Sequence, residues 1–479
     1  MVKINYEKKI TNMEKLFLHY SKINLSLLGK ITVIKTLAVP QLVYLLTVLP
    51  SPGKAFFDQI DKLFKSFIWG RSTKIKLRQL EQDISQGGLK LTNLRFLHYG
   101  LKLSWIKRLV NTEGGWQSLF EHVFNMEKFR FWELDTKSIF DICSAPDTNP
   151  FWSEVFKIWI EYKEFYTSFD PRCYPLWGTS FIKNTNLLKL RTVFESYGLH
   201  YLNDILNRAG EIYGYEDLCN KVNKRLNFVD YFSLKHSIPR KWRIGLQDKL
   251  DQNKVEQLPL TNLLKMPKIC KGVYQKFLEK EQVIRPHKQK WSLALTENIQ
   301  EEDWEYFYKS NFQCTIDSKL RSFQYKVLLR AIPTNKYLLQ CKLKDSDKCY
   351  FCNQTTESLE HLLWFCPQVQ TFWDKFRCLF NPRTFPNNSM TAKSVLLGYR
   401  GNEDRIINHM FNLAKYYIFM TKCRETKLDF EQFKRTVVYT YKLESKIAHD
   451  NASKNMDFYS KWYPLYAIIM NSNNSDWCI

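Results

Sequence analysis

Acidic residues are the scarce component of this sequence. Its 479 residues hold 48 Asp and Glu against 71 Lys and Arg, a formal net charge of +23 with a pI near 9.3. That imbalance predicts a polyanionic partner, nucleic acid before an acidic membrane surface. No two aspartates are adjacent anywhere in the chain, so the paired carboxylates that hold two divalent metals at a reacting phosphate are not supplied in that form. The nearest acid cluster, Glu301-Glu302-Asp303, reads as the first turn of a helix around Trp304. A glycine loop of the P-loop type is absent as well. The longest mostly apolar run, Leu37 to Leu49, is interrupted by Pro40 and is too short to cross a bilayer. The first residues alternate charge with apolar groups and contain no signal-peptide core. The expectation is an intracellular chain, in the nucleus, the cytoplasm or both, with reduced thiols and no membrane partner. An apolar content of 44% and aromatic content of 15% argue against wholesale disorder, and the length suits two to four domains.

Cysteine is abundant, with twelve in the chain, and four of the candidate metal ligands fall within one short stretch. Cys349, Cys352, His361 and Cys366 follow the spacing C-x2-C-x8-H-x4-C. Three thiols and an imidazole are the donor set of a closed tetrahedral Zn2+ site, structural and one per chain. The Cys349–Cys352 turn would grip one side of the metal, and the helix-like stretch His361 to Cys366 the other. Tyr350, Phe351, Trp364 and Phe365 surround the ligands. Such aromatics suit stacking on unpaired RNA bases, and equally suit packing around the metal. The scattered Cys143, Cys173, Cys219, Cys314 and Cys423 read as core thiols.

Apolar residues elsewhere recur at three- and four-residue steps, which predicts a mostly α, multi-segment protein with a small zinc knuckle near the C-terminal third. Helices are expected from Ile10, from Leu27 with Ser26 as cap, over Phe56 to Ile68 ending at Gly70, and over Asn93 to Val110. Residues 1–110 contain 19 Lys or Arg against 6 Asp or Glu, so more than half of the excess charge lies in less than a quarter of the length. An electrostatic docking face for a phosphate backbone follows as an expectation. Five regions are expected: a basic helical region 1–112, a helical connecting domain 113–284 with its tryptophans in the core, a linker 285–303 around Arg285-Pro-His-Lys-Gln-Lys290, a zinc-binding domain 304–385, and C-terminal helices with a fraying tail 386–479. A helix over Leu320 to Arg330 carries Arg321, Lys326 and Arg330 beside its apolar face.

Leu25-Ser-Leu-Leu-Gly-Lys-Ile-Thr-Val-Ile-Lys35, Leu37-Ala-Val-Pro40 through Tyr44 to Leu49-Pro50, Phe67-Ile-Trp-Gly70 and Gly87-Gly-Leu-Lys-Leu resemble the thumb region that follows the palm in LINE-type (non-LTR) retrotransposon reverse transcriptases. The resemblance implies that Lys30, Lys35, Arg71, Lys74, Lys76 and Arg78 contact a nucleic-acid backbone. Pro175-Leu-Trp-Gly178 and Ile238-Pro-Arg-Lys-Trp242 resemble the middle region of the same family. Arg321-x-Phe-Gln-Tyr-Lys, Pro333-Thr-Asn, Cys349-x2-Cys352, Glu357-Ser-x-x-His361-Leu, Trp364-x-Cys366-Pro and Phe372-Trp373 resemble its zinc-binding domain. That carries the ligand roles onto Cys349, Cys352, His361 and Cys366. It also makes Arg321, Lys326, Arg330, Tyr350, Phe351 and Trp364 candidate nucleic-acid contacts.

The family places an aromatic-x-Asp-Asp motif in its palm, and no counterpart occurs here. Nor does the N-terminal part hold an endonuclease-like set of acids and histidines. The expectation is a C-terminal portion that begins just past the palm, is no enzyme alone, and binds RNA, template-primer DNA or both. A palm-containing reverse transcriptase chain is a further candidate partner. A non-functional relic, or a protein-interaction module from a decayed element, is the alternative.

Overall fold

The computed structural model describes residues 2–70, 75–110, 115–124, 136–144, 148–166, 176, 194, 196–207, 209–238, 259–281, 283–380, 389–449 and 452–465. Arg71, Lys74, Trp132, Trp177, the loop at 171–175, most of the loop at 386–389 and the end of the tail lie outside them. The described residues form helices and no strand, with two isolated antiparallel bridges, Leu206 to Ile212 and Lys348 to Thr356. The protein is mostly α, as the apolar spacing predicts. Among the described residues no single helix is long and apolar enough to cross a membrane.

Contacts divide the chain into two units that do not follow the expected chain-order division. The first comprises Met1–Thr11, Val39–Asp58 and Asn93–Glu281, and the second Asn12–Ala38, Gln59–Thr92 and Gln282–Ile479. The basic region 1–112 is shared between the two units, with the boundaries inside the helices Val2–Ser21 and Lys54–Trp69.

In the first unit the helices Leu94–Val110, Pro150–Lys163 and Ile269–Lys280 bury Leu103, Ile106, Trp152, Trp159, Val273 and Phe277 together. Gly100 permits the close approach of two of these helices, since a Cβ there would lie 2.5 Å from the Cys270 carbonyl oxygen. A buried polar network sits in the same unit. Glu154 accepts from the Ser51 N–H at 3.1 Å and lies 3.3 Å from both His98 Nε2 and Lys102 Nζ. Lys102 also donates to the Leu49 carbonyl at 2.6 Å, which satisfies a cation that is otherwise sealed from water.

The second unit is built around the helix Asp404–Cys423, whose residues 406–415 are all buried. Helices Glu301–Cys314, Ser318–Leu328, Ala392–Leu396, Phe430–His449 and Ala452–Trp462 pack on it. A helix buried on every side needs neighbours on every side, and these supply them, Asn408, His409, Asn412 and Lys415 being buried along with its apolar residues. The basic N-terminal elements of this unit join the same body. Ser26 caps the helix Leu27–Val33 by accepting from the Gly29 N–H, and that helix docks on Ser318–Leu328 through Leu28 N–H donating to Ser322 Oγ at 3.3 Å. Tyr325 donates to the Gly87 carbonyl at 3.0 Å. The adjacent Gly88 tolerates no side chain, because its Cβ would fall 1.9 Å from the Gln82 carbonyl oxygen.

The expected linker 285–303 is a correction. Pro286 opens a helix, Pro286–Leu295, instead of breaking one, since proline suits the first helical position. His287, Trp291 and Leu295 recur every four residues on its buried face, and Trp291 donates to the Leu328 carbonyl at 2.9 Å. The polar run Arg285-Pro-His-Lys-Gln-Lys290 disguises that stripe. Residues 386–479 are likewise not a separate segment: Ile406, Phe433, Phe458 and Trp462 share one core with Leu320, Cys349 and Trp373.

Candidate metal centre

Two local structures bring the four ligands together. The first is the turn after Lys348. Cys349 donates its N–H to the Thr355 carbonyl at 2.8 Å, and the Cys349 carbonyl accepts from Asn353 N–H at 2.9 Å. Asn353 takes a left-handed conformation with φ of 53°, one that asparagine tolerates better than most residues. This closes the loop and turns the Cys349 and Cys352 side chains inward. The second is a single wide turn, His361–Phe365, closed by Cys366 N–H donating to the His361 carbonyl at 2.9 Å. Positions five apart point to different sides of an α-helix, and the wider turn brings His361 and Cys366 round to one side. The expected helix-like stretch is thus a π-type turn.

The carbonyls that such a turn leaves over are satisfied by side chains. Trp373 Nε1 donates to the Leu363 carbonyl at 2.9 Å, and Gln370 Nε2 to the Trp364 carbonyl at 2.6 Å. Cys366 then stands at the N-terminus of the helix Pro367–Arg377. Its thiol is pulled below the ordinary value by the hydrogen bond from Cys349, which outweighs burial, and by the Val369 and Gln368 N–H groups. At Cys352, burial is outweighed by the Thr355 and Gln354 N–H groups and by His361, and the net direction is again downward. Both shifts are toward the metal-binding thiolate form, whereas the hydrogen bond to Cys366 and burial push the Cys349 thiol upward.

The four ligand atoms lie within 4.8 Å of one another. Cys349 Sγ and Cys366 Sγ are 3.8 Å apart, and Cys352 Sγ is 3.4 Å from His361 Nε2. Zn–S bonds of about 2.3 Å and a Zn–N bond of about 2.0 Å in a tetrahedron require edges of about 3.8 Å and about 3.5 Å. The donor set, spacing and burial fit one structural zinc. All four positions are protein side chains, so no place is left for a reacting water. Cys341 and Cys378, which flank the motif in sequence, are exposed and take no part. No other group of three or more such ligands comes together among the described residues.

Sequence reasoning missed the group that holds this loop in place. Glu357 is fully buried, and its Oε1 accepts from Asn335 N–H at 2.8 Å and from Lys422 Nζ. Its Oε2 accepts from Tyr350 N–H at 3.1 Å, inside the Cys349–Cys352 turn. Asn335 Nδ2 donates to the Lys348 carbonyl at 2.7 Å, one residue before the first ligand. One carboxylate thus ties the ligand turn, the start of the helix Asn335–Gln340 and the central helix together. Glu357 belongs to the stretch that resembles the zinc-binding family, but nothing local marks Lys422 as its counter-ion.

The candidate nucleic-acid residues separate by their contacts. Lys30, Arg321 and Arg330 are each engaged within the fold. Lys30 donates to the Ile68 carbonyl at 3.1 Å. Arg321 donates to the Thr315 and Phe312 carbonyls at 2.6 and 2.7 Å. Both satisfy carbonyls that helix C-termini leave open. Arg330 forks onto Glu360 at 2.8 and 3.2 Å and lies over Trp291, 4.5 Å from the ring centre. Lys35, Lys76 and Arg78 are exposed, and Lys326 is half-buried. Tyr350, Phe351 and Trp364 are half-buried. Tyr350 and Phe351 meet edge to face at 5.2 Å, whereas Trp364 leans on Trp373 at 5.9 Å.

Residues 273–373 match the family model described as zinc-binding in reverse transcriptase, a segment that contains all four ligands and Glu357. Over that segment, about a fifth of the chain, the protein is similar to the zinc-binding region associated with reverse transcriptases.

Proposed function

We propose that the chain is the nucleic-acid-gripping part of a LINE-type retrotransposon reverse transcriptase protein, without polymerase chemistry of its own. The observation that carries this reading is the closed four-ligand set inside a segment matched to the reverse-transcriptase zinc-binding family. Charge supports it: Lys15, Lys22, Lys35, Lys62, Lys65 and Lys76 are all exposed on N-terminal elements of the unit that carries the metal centre. RNA and the template-primer duplex are the proposed ligands, with a palm-containing chain as the catalytic partner inside the cell. The metal orders the loop and performs no chemistry.

The test is binding of the purified chain to structured RNA and to duplex DNA across a salt series, with a Cys349→Ser/Cys352→Ser variant alongside. The reading expects log–log salt slopes of about −0.9 per phosphate contacted on duplex, and loss of RNA preference together with one zinc per chain. Zinc content with no affinity beyond that of an unrelated basic protein would sink it. A protein-interaction module is the second reading. It is favoured by Tyr439, Leu443, Ile447, Met456, Tyr459 and Tyr463, all exposed on the C-terminal helices.

A further inference from the structure

A groove of about 530 Å³ opens beside the metal-binding turn. Tyr350 and Phe351 line it from between the first two ligands, Phe372 from the helix Pro367–Arg377, and Phe430 from the start of the helix Phe430–His449. Phe372 is buried and fixed, 5.3 Å from Phe430 and edge to face with it, while Tyr350, Phe351 and Phe430 are half-buried. The core thus backs Phe351, Phe372 and Phe430 at the edge of an open space. Two lysines, Lys375 and Lys427, complete the rim, both exposed, and no acidic residue lines the groove. Gln368 and Thr371 add neutral hydrogen-bonding groups. Several aromatic rings, amide and hydroxyl groups and two cations in a space within the about 300–1,000 Å³ of small-ligand sites match the parts of one nucleotide.

We infer that this groove seats one unpaired nucleotide of a single-stranded nucleic acid, its base on the aromatic walls and its phosphate at Lys375 and Lys427. The inference rests on the nucleic-acid reading above and adds the position and the strandedness of the contact. A paired base cannot offer its face to a ring, so a duplex is not held here. Lys375, Lys427 and Phe430 lie beyond the matched segment 273–373, so the site is completed by residues that follow it in the chain. Trp364, expected as a stacking residue, does not line the groove.

The experiment uses the full chain with zinc. Fluorescence anisotropy follows binding of a single strand of about 12 nucleotides, within the site sizes of single-strand binders, carrying one 2-aminopurine, and of the matching duplex. A polyglutamate peptide serves as competitor. The variants are Lys375→Glu/Lys427→Glu, which alters only exposed groups, and Phe430→Leu, which removes one ring and keeps an apolar plug. Zinc content and melting temperature establish that both are folded. The charge reversal should weaken single-strand binding about tenfold or more and flatten its salt dependence, with duplex affinity unchanged within about twofold. Phe430→Leu should weaken the single strand about fivefold or more and abolish 2-aminopurine quenching. Wild-type affinity in both folded variants would overturn the groove while leaving the broader nucleic-acid reading standing. Displacement by polyglutamate as effective as by unlabelled strand would assign the groove to acidic peptides and overturn it as well. If the native chain bound neither strand nor duplex above a basic control protein, both would fall.

Discussion

Replacing Glu357 by alanine is the sharpest test of how the metal centre is supported. The substitution strands the Lys422 ammonium in a site where that residue is almost fully buried, and it removes the acceptor for two backbone N–H groups, those of Asn335 and Tyr350. Breaking a buried ion pair by deleting one partner costs about 3–5 kcal/mol. For a unit of this size each kcal/mol lowers the melting temperature by about 2–4 °C, so a drop of roughly 6–20 °C is expected. Zinc affinity should fall too, by about tenfold, because Tyr350 N–H no longer anchors the turn that presents Cys349 and Cys352. Glu357→Ala/Lys422→Met should recover much of the melting temperature, since the stranded charge is gone, but little of the zinc affinity, since Tyr350 N–H still lacks its acceptor. Circular dichroism melts and competition against a zinc-sensitive chelating dye measure both quantities. A Glu357→Ala protein that melts within about 0.5 kcal/mol of the native one, as surface substitutions do, would refute the reasoning.

Three further outcomes follow from the same structure. Stripping the metal, by a strong chelator or through Cys349→Ser/Cys352→Ser, should remove one zinc per chain by elemental analysis and open residues 341–366 to protease, because the buried Cys349 and Cys366 are then held only by the surrounding core. Burial pushes the Lys415 ammonium down to about 7, where Gln324 Oε1 and the Leu396 carbonyl accept from it. Between that value and the ordinary 10.5 the unfolded chain binds the extra proton, so stability should rise with pH across this window. Urea midpoints of the native chain should show that slope and those of Lys415→Met should show less of it. Gly100→Ala places a methyl group against the Cys270 carbonyl oxygen and should cost about 1–3 kcal/mol by denaturant titration, although alanine favours helix elsewhere.

The metal ligands were legible because ligand spacing is a local property. The helices were legible for the same reason: Ser26 before Leu27 caps the helix that follows. What could not be read is long-range. Lys30 and Arg321 look like cations free to meet phosphate, yet each satisfies a carbonyl on a neighbouring element, and charge alone does not separate the two uses. Glu357 and Lys422 are 65 residues apart, and no periodicity links them. The segment 285–303 reads as a linker because a polar, proline-containing surface conceals the four-residue recurrence of His287, Trp291 and Leu295. No local pattern links Phe430 and Lys427 to the metal-binding turn, because they reach it only through the central helix that separates them from it in sequence.

The docking of the Leu27–Val33 helix on Ser318–Leu328 sets a schedule for biosynthesis. Ser26 and Ser318, whose hydroxyls meet at 3.1 Å, are separated by 292 residues. At about 5–20 residues per second, the early helix waits on the order of tens of seconds for its partner to leave the ribosome. Helix Asp404–Cys423, which seals the other side of Ser318–Leu328, is made later still. During that interval the Leu27–Val33 helix lacks the Ser318–Leu328 helix on which it packs. The nascent chain is therefore a predicted client of chaperones, or of a nucleic acid that shields its cationic helices. An excised fragment covering only the matched segment would remain permanently in that unfinished state.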